Sequence, residues 1–496
     1  MKQSINSNWN RRTFVCASLS AACLAGLGTG LSAGPGASAA WGADVPLHEQ
    51  TARKAPEWLT KGVMYQINPR AYTESGTLKE AAGKLDDLAK IGITIVYLCP
   101  VFAADDDMDK TFWSPRQKGS GMENPRNPYR MKDYYNVDPE YGTNQDLKDY
   151  VAKAHSLGMS VMLDMVYLHC GPKAVFIESH PDFVKRDKDG KILNAAWAFP
   201  GLNFSSSELR EYLIKNMEMW VNEYKVNGFR MDVGDGIPLD FWVQARERLE
   251  KANPEVGFLS EGSRLQDQVY AFDMNYSFPQ IGTLNNVLLQ KSPASQYVDI
   301  CKKAEASRPK GARFMRYIDN HDIANESWTN RIENRYTFDG VNAAFVTLFT
   351  QDGTPMVYCG QEVCDKNRHS IFGNTAQARS IKPDCAPVNV DWSNANSDEA
   401  KARQKLLKDL SDMRRSYSAF TEGETRWLTT DKPEAILAYI RDDGKEPILV
   451  VVNVRKEPVK TTVEFDGEFK SVLMLKGAFD GKTFDLPAFG YVVLKK

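Results

Sequence analysis

The chain of 496 residues is long enough for two or three domains, or for one large barrel with additions, and 42% hydrophobic with 25% charged residues is an ordinary globular balance. Lys and Arg number 62 against 64 Asp and Glu, a net charge of −2. That balance speaks against nucleic acid or an acidic membrane surface as partner, since both select for a basic excess.

The first segment reads as an address. Asn10-Arg11-Arg12-Thr13-Phe14 precedes a mildly apolar stretch to about Leu31, and Ala37-Ser38-Ala39 supplies a small-residue cleavage pattern. Paired arginines before a weak apolar run predict a twin-arginine export signal over residues 1–39, with an ordinary secretory signal as the alternative. Lipidation at Cys23 is disfavoured because Ser20 stands where such motifs carry Leu. No later run of about 18 apolar residues predicts a membrane span, so the expectation is an exported, periplasmic or extracellular protein, and a monomer.

After a polar lead-in over residues 40–57, short apolar runs alternate with amphipathic stretches. The runs are Val63–Ile67, Ile93–Leu98, Val161–Val166, Gly228–Asp232, Gly257–Glu261, Val269–Asp273, Phe314–Asp319 and Pro355–Tyr358. Between them, Leu147, Val151, Ala154 and Leu157 recur at helical spacing, as do Leu209, Leu213, Met217 and Val221. Eight strand–helix units predict a (β/α)8 TIM barrel over residues 58–167 and 207–420. Two long connections interrupt it, at about 99–143 and 168–206. Both follow predicted strand C-termini, the face on which barrels build their sites. The second is assigned as a short inserted domain. From residue 421 to 496, Ile436–Arg441, Ile448–Val452, Thr461–Phe465, Val472–Leu475 and Tyr491–Leu494 alternate with turns such as Asp442-Asp443-Gly444. They predict a small antiparallel β domain.

Beyond the leader stand Cys99, Cys170, Cys301, Cys359, Cys364 and Cys385. An even count in an exported chain permits disulfides, but twin-arginine substrates fold before export in a reducing compartment. Cys99 and Cys359 sit in apolar runs and read as small buried hydrophobes. No Cys/His cluster has zinc spacing.

Three carboxylates close predicted strands four, five and seven. In Gly228-Phe229-Arg230-Met231-Asp232, the period-two alternation of a strand points Arg230 and Asp232 the same way, and an Arg beside a carboxylate favours its ionised form. Glu261 ends an apolar run, where desolvation raises a carboxyl toward general-acid duty. Asp322 follows Asp319-Asn320-His321. Two carboxyls facing across a barrel mouth meet the needs of a retaining glycosidase.

These segments resemble the conserved regions of the α-amylase superfamily, glycoside hydrolase family 13, from about Lys61 to the C-terminus. Gly228–Asp232 resembles the family's G-F-R-x-D, which implies Asp232 as nucleophile and Arg230 beside it as a substrate-binding residue. Glu261 corresponds to the acid/base. Ile318–Asp322 resembles x-x-N-H-D, implying Asp322 as transition-state stabiliser and His321 as a sugar ligand. Asp164–His169 resembles D-x-V-x-N-H, which places Asp164 and His169 at the cleavage subsite, and Tyr129 looks like the family's stacking tyrosine. Asp138–Thr143 and Gly353–Glu362 match two further stretches. The resemblance implies a retaining hydrolase of α-glucosidic bonds in starch-like glucans or maltooligosaccharides. A transglycosylase on the same residues is the alternative, and a non-catalytic sugar-binding protein a more distant one.

The departures bear on metal and substrate. Leu168 stands where the family commonly has Asn, and Gly201 where it has Asp in P-D-L-N. Neither offers a side-chain oxygen, and calcium wants six to eight. The usual calcium site is therefore expected to be absent, and no cofactor is implied. Asp105-Asp106-Asp107-Met108-Asp109 reads as a solvated acidic loop rather than a cation site. Asp235 and Gly236 replace the Lys and His that contact the leaving sugar in many amylases, and Ser260 replaces a common Gly. Trp113, Trp197 and Phe199 in the two long connections are candidates for loop packing before sugar contact. His48, His155, His180 and His369 carry no partner pattern, and Asp187-Lys188-Asp189-Gly190 reads as a solvated turn.

Overall fold

The computed structural model describes residues 45–326, 331–374 and 388–496. The leader with its paired arginines, Cys16 and Cys23, the start of the lead-in, and Cys385 lie outside them. From Leu47 the lead-in follows the barrel wall: Thr51 bridges to Lys310, and the Arg53 amide donates to the Gln268 carbonyl at 2.8 Å.

Strands numbered in chain order include β1 (Met64–Ile67), β2 (Ile95–Leu98), β5 (Ser160–Met165), β6 (Gly228–Met231), β7 (Gly257–Ser260), β8 (Met274–Tyr276), β9 (Phe314–Arg316) and β10 (Thr354–Tyr358). They close in the order β1-β10-β9-β8-β7-β6-β5-β2, every pair parallel. Side chains alternate with period two. Met64, Ile95, Tyr97, Met162, Leu259, Met274, Tyr276 and Met356 fill the barrel interior. Tyr65, Val96, Leu98, Val161, Leu163, Phe229, Phe258 and Val357 face the helices. Burial on both faces is why these strands read as continuous apolar runs. The helix Asn144–Ser156 starts at a capping box, Thr143 with Asp146, and buries Leu147, Tyr150, Val151 and Ala154. The helix Ser207–Asn222 is capped by Ser206.

The predicted sixth strand, Val269–Asp273, is displaced. Residues Asp267–Tyr270 form a helical turn and the strand is β8, Met274–Tyr276. Ala271 and Phe272 pack in the outer shell while Met274 and Tyr276 enter the barrel, and an apolar run alone does not distinguish those fates. The long connection after β2 is also structured. It holds an antiparallel ribbon of β3 (Phe102–Ala104) with β4 (Met131–Val137) and the helix Pro115–Ser120. The polar residues within β4 hide its strand character. The segment 168–206 is irregular, tied by isolated bridges such as His169–Gly201 and Val184–Leu202.

The C-terminal residues form β11 (Glu424–Trp427), β12 (Ile436–Asp442), β13 (Ile448–Asn453), β14 (Val459–Thr462), β15 (Ser471–Lys476), β16 (Ala478–Phe479), β17 (Thr483–Leu486) and β18 (Tyr491–Lys495). One sheet has the order β11-β12-β13-β18-β15 and a second β14-β17-β16, all antiparallel. The strand expected at Thr461–Phe465 is β14, which runs from Val459 to Thr462, and Val463 beyond it bridges Thr430. Cys99, Cys170, Cys301, Cys359 and Cys364 are buried free thiols, so no disulfide joins the described cysteines.

Candidate active site

Register builds the centre of the site. Asp164 on β5 pairs with Arg230 on β6, both pointing inward on adjacent strands, and Arg230 Nη1 donates to Asp164 Oδ1 at 2.6 Å. One residue past each strand end, the ladder continues: the Asp232 amide donates to the Met165 carbonyl at 2.9 Å and the Glu261 amide to the Met231 carbonyl at 3.1 Å. These bonds set both carboxylates at the rim. Arg230 Nη1 also donates to Asp232 Oδ1 at 2.9 Å, and Nη2 lies 2.7 Å from Glu261 Oε2. Val233 then turns the chain with φ 46°, a left-handed conformation costly for a β-branched residue. In that turn its amide donates to Glu261 Oε2 at 3.0 Å.

A second chain of bonds orders the other wall. Gln66 Oε1 accepts from the His321 amide at 3.0 Å, so its Nε2 must face His321 Nδ1, also at 3.0 Å. Nδ1 is therefore an acceptor and Nε2 carries the proton. Nε2 donates to the Tyr129 hydroxyl at 2.8 Å, and that hydroxyl donates to Asp164 Oδ2 at 3.0 Å. The Tyr97 hydroxyl donates to the same oxygen at 2.8 Å. Tyr129 and His321 stack with ring centroids 5.4 Å apart.

Protonation follows from burial and neighbours. Burial raises Glu261 to about 7, against the pull of Arg230. Burial also pushes Asp232 well above the usual carboxylate range, with Arg230 pulling it down and Glu261 pushing it further up. The expectation that Arg230 alone keeps Asp232 ionised is thus corrected for the empty pocket, because one guanidinium serves three carboxylates. Burial opposes ionisation of Asp322, but the Arg116 guanidinium, hydrogen-bonded to it at 2.8 Å, holds it well below the ordinary value. Burial lowers His169 to about 3 and also lowers His321, so both rings are neutral at pH 7.

These groups open into a pocket lined by Tyr129, His169, Asp232, Glu261, His321 and Asp322, with Ser114, Arg116, Asn127, Trp197, Phe199, Val233, Ile371 and Phe372. Asp164 and Arg230, expected as substrate contacts, are fully buried beneath it. Their bonds go to the carboxylates and to Tyr129, so they position rather than touch. His169 Nδ1 is buried with no bonding partner among the described residues, and the ring meets Phe199 edge-on at 4.8 Å. Of the loop aromatics, Trp197 and Phe199 line the pocket, whereas Trp113 is buried away from it and donates to the Asp107 carbonyl.

Sequence reasoning missed Gln66, Arg116, Ile371 and Phe372. Arg116 Nη1 donates to Asp322 Oδ1 at 2.8 Å and Nη2 to the Asp322 carbonyl at 3.3 Å. No local motif marks it. His369 is a structural histidine, buried and 2.9 Å from Asp365. His155 bonds Asn227 and His180 bonds Ser179, both exposed.

The residues at the family's calcium position do not fit the ion. The Leu168 side chain packs on Gly236, with Leu168 Cδ1 only 3.4 Å from where a Cβ would stand. Among the described residues no group of His, Cys, Asp or Glu is placed to hold a metal. The acidic loop is not simply solvated, which corrects that expectation. Asp105 is fully buried and accepts the Asp107 and Lys173 amides at 2.8 and 2.7 Å. The buried Arg130 guanidinium lies 3.4 Å from it and donates to the carbonyls of Asp105, Asp107, Phe112 and Pro125. Asp106 pairs with Lys132. Asp235 accepts the Ser263 amide at 2.9 Å, so it serves the rim after β6.

Comparison with known proteins agrees with this geometry. A family model described as the alpha amylase catalytic domain matches residues 50–191 and 192–435. A cyclomaltodextrinase of a Bacillus species is 25% identical over 454 residues, 80% of this chain and 73% of its own. An intracellular maltogenic amylase of Bacillus subtilis is 25% identical over 459 residues, 82% of this chain and 71% of its own. Among solved structures, a noncanonic maltogenic alpha-amylase of Thermotoga neapolitana has a TM-score of 0.71 at 26% identity, covering 88% of this chain and 97% of that one.

Proposed function

The chain belongs to the α-amylase family, and from that premise we propose that it is a retaining α-glycoside hydrolase cleaving α-1,4-glucosidic bonds in starch-like glucans or maltooligosaccharides. The observation that carries this is the shared guanidinium. Asp232 and Glu261 contact two terminal nitrogens of Arg230 at 2.9 and 2.7 Å, which supports the short carboxyl spacing, about 5 Å, of a retaining pair.

Glu261 gives its proton to the glycosidic oxygen as the bond to the anomeric carbon breaks. Asp232 forms the new bond to that carbon through Oδ2, the oxygen that Arg230 leaves free. A water then attacks the glycosyl-enzyme, Glu261 takes the water's proton, and Asp232 departs, so configuration is retained. The double displacement requires the charge on Asp232, to which Arg230 donates a hydrogen bond at 2.9 Å. His169 and the ionised Asp322 grip the sugar's hydroxyls, His321 holds the Tyr129 hydroxyl through Nε2, and Tyr129 offers the sugar an aromatic face.

The same reading takes the enzyme as a monomer that works without calcium, since Leu168 and Gly201 offer no side-chain oxygen where the family has ligands and Arg130 supplies the cation of the loop after β2. It takes residues 1–39 as a leader for export. The Bacillus subtilis relative is intracellular by its name, so the residues around Arg11 and Arg12 alone carry that part. Among the described residues no helix is long and apolar enough to cross a membrane. The test is an activity panel of linear and cyclic α-glucans, pullulan, isomaltose, trehalose and sucrose, with Asp232→Asn as blank and NMR of the first product anomer. An α-anomer from α-1,4 substrates is expected. A β-anomer, or no hydrolysis of any α-glucan, refutes the reading.

A further inference from the structure

The segment between β3 and β4, residues 105–130, supplies Ser114, Arg116, Asn127 and Tyr129 to the pocket. Its regular structure is one short helical turn, Lys110–Phe112, and the helix Pro115–Ser120. Fixing so long a stretch costs conformational entropy, and one side chain gathers it. Arg130, fully buried, donates through Nη1 to the Phe112 carbonyl at 3.1 Å. Through Nη2 it donates to the carbonyls of Asp105, Asp107 and Pro125 at 3.0, 2.8 and 3.0 Å. The Asp105 carboxylate, also fully buried, completes the cage at 3.4 Å. Backbone carbonyls and a carboxylate drawn from separate points of one loop are the ligands a hard cation takes. Here the cation is a guanidinium.

The cage extends to the loop after β5. Asp105 Oδ1 accepts the Asp107 amide at 2.8 Å, and Oδ2 accepts the Lys173 amide at 2.7 Å. A Cβ at Gly171 would stand 2.2 Å from Asp105 Oδ2, so the backbone there passes directly against the carboxylate. The Gly171 amide donates to the carbonyl of Met131, the residue after Arg130, at 2.7 Å. The Tyr134 hydroxyl donates to the His169 carbonyl at 2.9 Å. Tyr129 therefore precedes Arg130 in the chain, and His169 lies just before Gly171. Both line the pocket.

Charge explains why the centre of this cage must be cationic. Lys132 meets Asp106 at 3.0 Å and Lys173 lies 3.6 Å from Asp107, both pairs reached by water. Asp105 has Arg130 beside it where water does not reach. Burial opposes both charges, raising Asp105 and lowering Arg130, so each depends on the other and on the ring of oxygens. Removing one leaves the other uncompensated. Asp232 and Glu261 are held differently, by strand ends and by Arg230.

Resting on the α-glucan hydrolase reading for the identity of the ligand, we infer that Arg130 is a positioning residue for substrate binding. Its guanidinium serves as the structural cation that ties the β3–β4 segment to the loop after β5, and so presents Tyr129 and His169 to the sugar. Loss of that cation acts on binding more than on the chemical step.

The experiment compares wild type with Arg130→Ala, Arg130→Met and Arg130→Lys. It reads melting temperature without substrate, and kcat and KM on maltoheptaose. Arg130→Ala is expected to melt lower and to raise KM by at least about 10-fold while kcat changes less. Guanidinium at about 10 mM, far below denaturing concentrations, should enter the vacated cage and recover part of both losses, which sodium chloride at the same concentration does not. Arg130→Met keeps bulk without charge and should resemble Arg130→Ala. Arg130→Lys keeps the charge and should hold KM nearer to wild type. Wild-type behaviour of Arg130→Met, or Arg130→Lys no better than Arg130→Met, reduces Arg130 to packing and overturns the inference. An unchanged KM in Arg130→Ala, or no response of that variant to guanidinium, overturns it as well. If Arg130→Ala does not fold, its refolding yield is compared in guanidinium and in sodium chloride, and equal yields count against the cage. Failure of wild type to cleave any α-glucan overturns the hydrolase reading, whereas guanidinium rescue of the melting temperature, which needs no substrate, still supports Arg130 as the structural cation.

Discussion

Replacing Arg230 by Met removes the one cation that faces Asp164, Asp232 and Glu261 while keeping a side chain of similar bulk. At 2.6 and 2.9 Å, the contacts to Asp164 and Asp232 each supply roughly 6 kcal/mol of attraction in an effective dielectric of about 20. Desolvation of the fully buried guanidinium offsets most of that. Breaking such a pair is expected to cost about 3–5 kcal/mol, because buried carboxylates are left uncompensated. The loss has a definite pH dependence. In the variant, Asp232, already raised by burial, loses the cation that pulls it down, so the folded chain binds more protons than the unfolded one and stability falls as pH rises through that range. Thermal or urea unfolding of both proteins at pH 5 and pH 8 measures this. The deficit relative to wild type should be largest at pH 8 and shrink at pH 5. A deficit that is the same at both pH values, or none at all, refutes the assignment of Arg230 as the shared counter-ion.

Other expectations follow from the same geometry. Activity should fall on the alkaline side with an apparent pKa near 7 as Glu261 loses the proton it must donate, and Glu261→Gln should lose at least about 10²-fold in kcat on glucans but far less on glucosyl fluoride, whose leaving group needs no proton. Equal losses on both substrates count against Glu261 as the acid. Gln66→Glu puts a carboxylate against His321 Nδ1, so nitrogen-15 NMR should show the ring doubly protonated near neutral pH; an unchanged singly protonated ring removes Gln66 as the setter of the tautomer. EDTA should leave the melting temperature unchanged, and a large drop reversed by calcium contradicts the fit of Leu168 and Arg130. Mass spectrometry of exported protein should find Ala40 at the N-terminus, with export blocked by Arg11→Lys combined with Arg12→Lys; an intact leader on exported protein refutes that reading.

The features legible in the chain are those with short-range causes. Strands buried on both faces must be apolar runs, so seven of the barrel strands stand out, and parallel alternation places Arg230 and Asp232 on one side before any fold is known. Carboxylates at strand ends fall at the rim because a barrel places strand C-termini there. The sixth strand escaped because Val269–Asp273 is as apolar as the true strand and only packing chooses between them. The ribbon β3–β4 escaped because its polar residues face solvent on one side.

What tertiary structure decided is which distant side chains meet. Arg116 and Asp322 are 206 residues apart, and Gln66 and His321 are 255 apart. Their contact exists only because β1, β9 and β10 are neighbours in a closed ring, with the loop after β2 folding back across the mouth. The same closure makes Trp197 a pocket wall and Trp113 a buried prop, and brings Arg130 into the carbonyls of a loop that reads as solvated acid. Residue type sets what each group can do, and ring closure sets its partner. So the chemistry of Asp232, Glu261 and Asp322 was readable from the chain, while the protonation of His321 and the pairing of Asp322 with Arg116 were not.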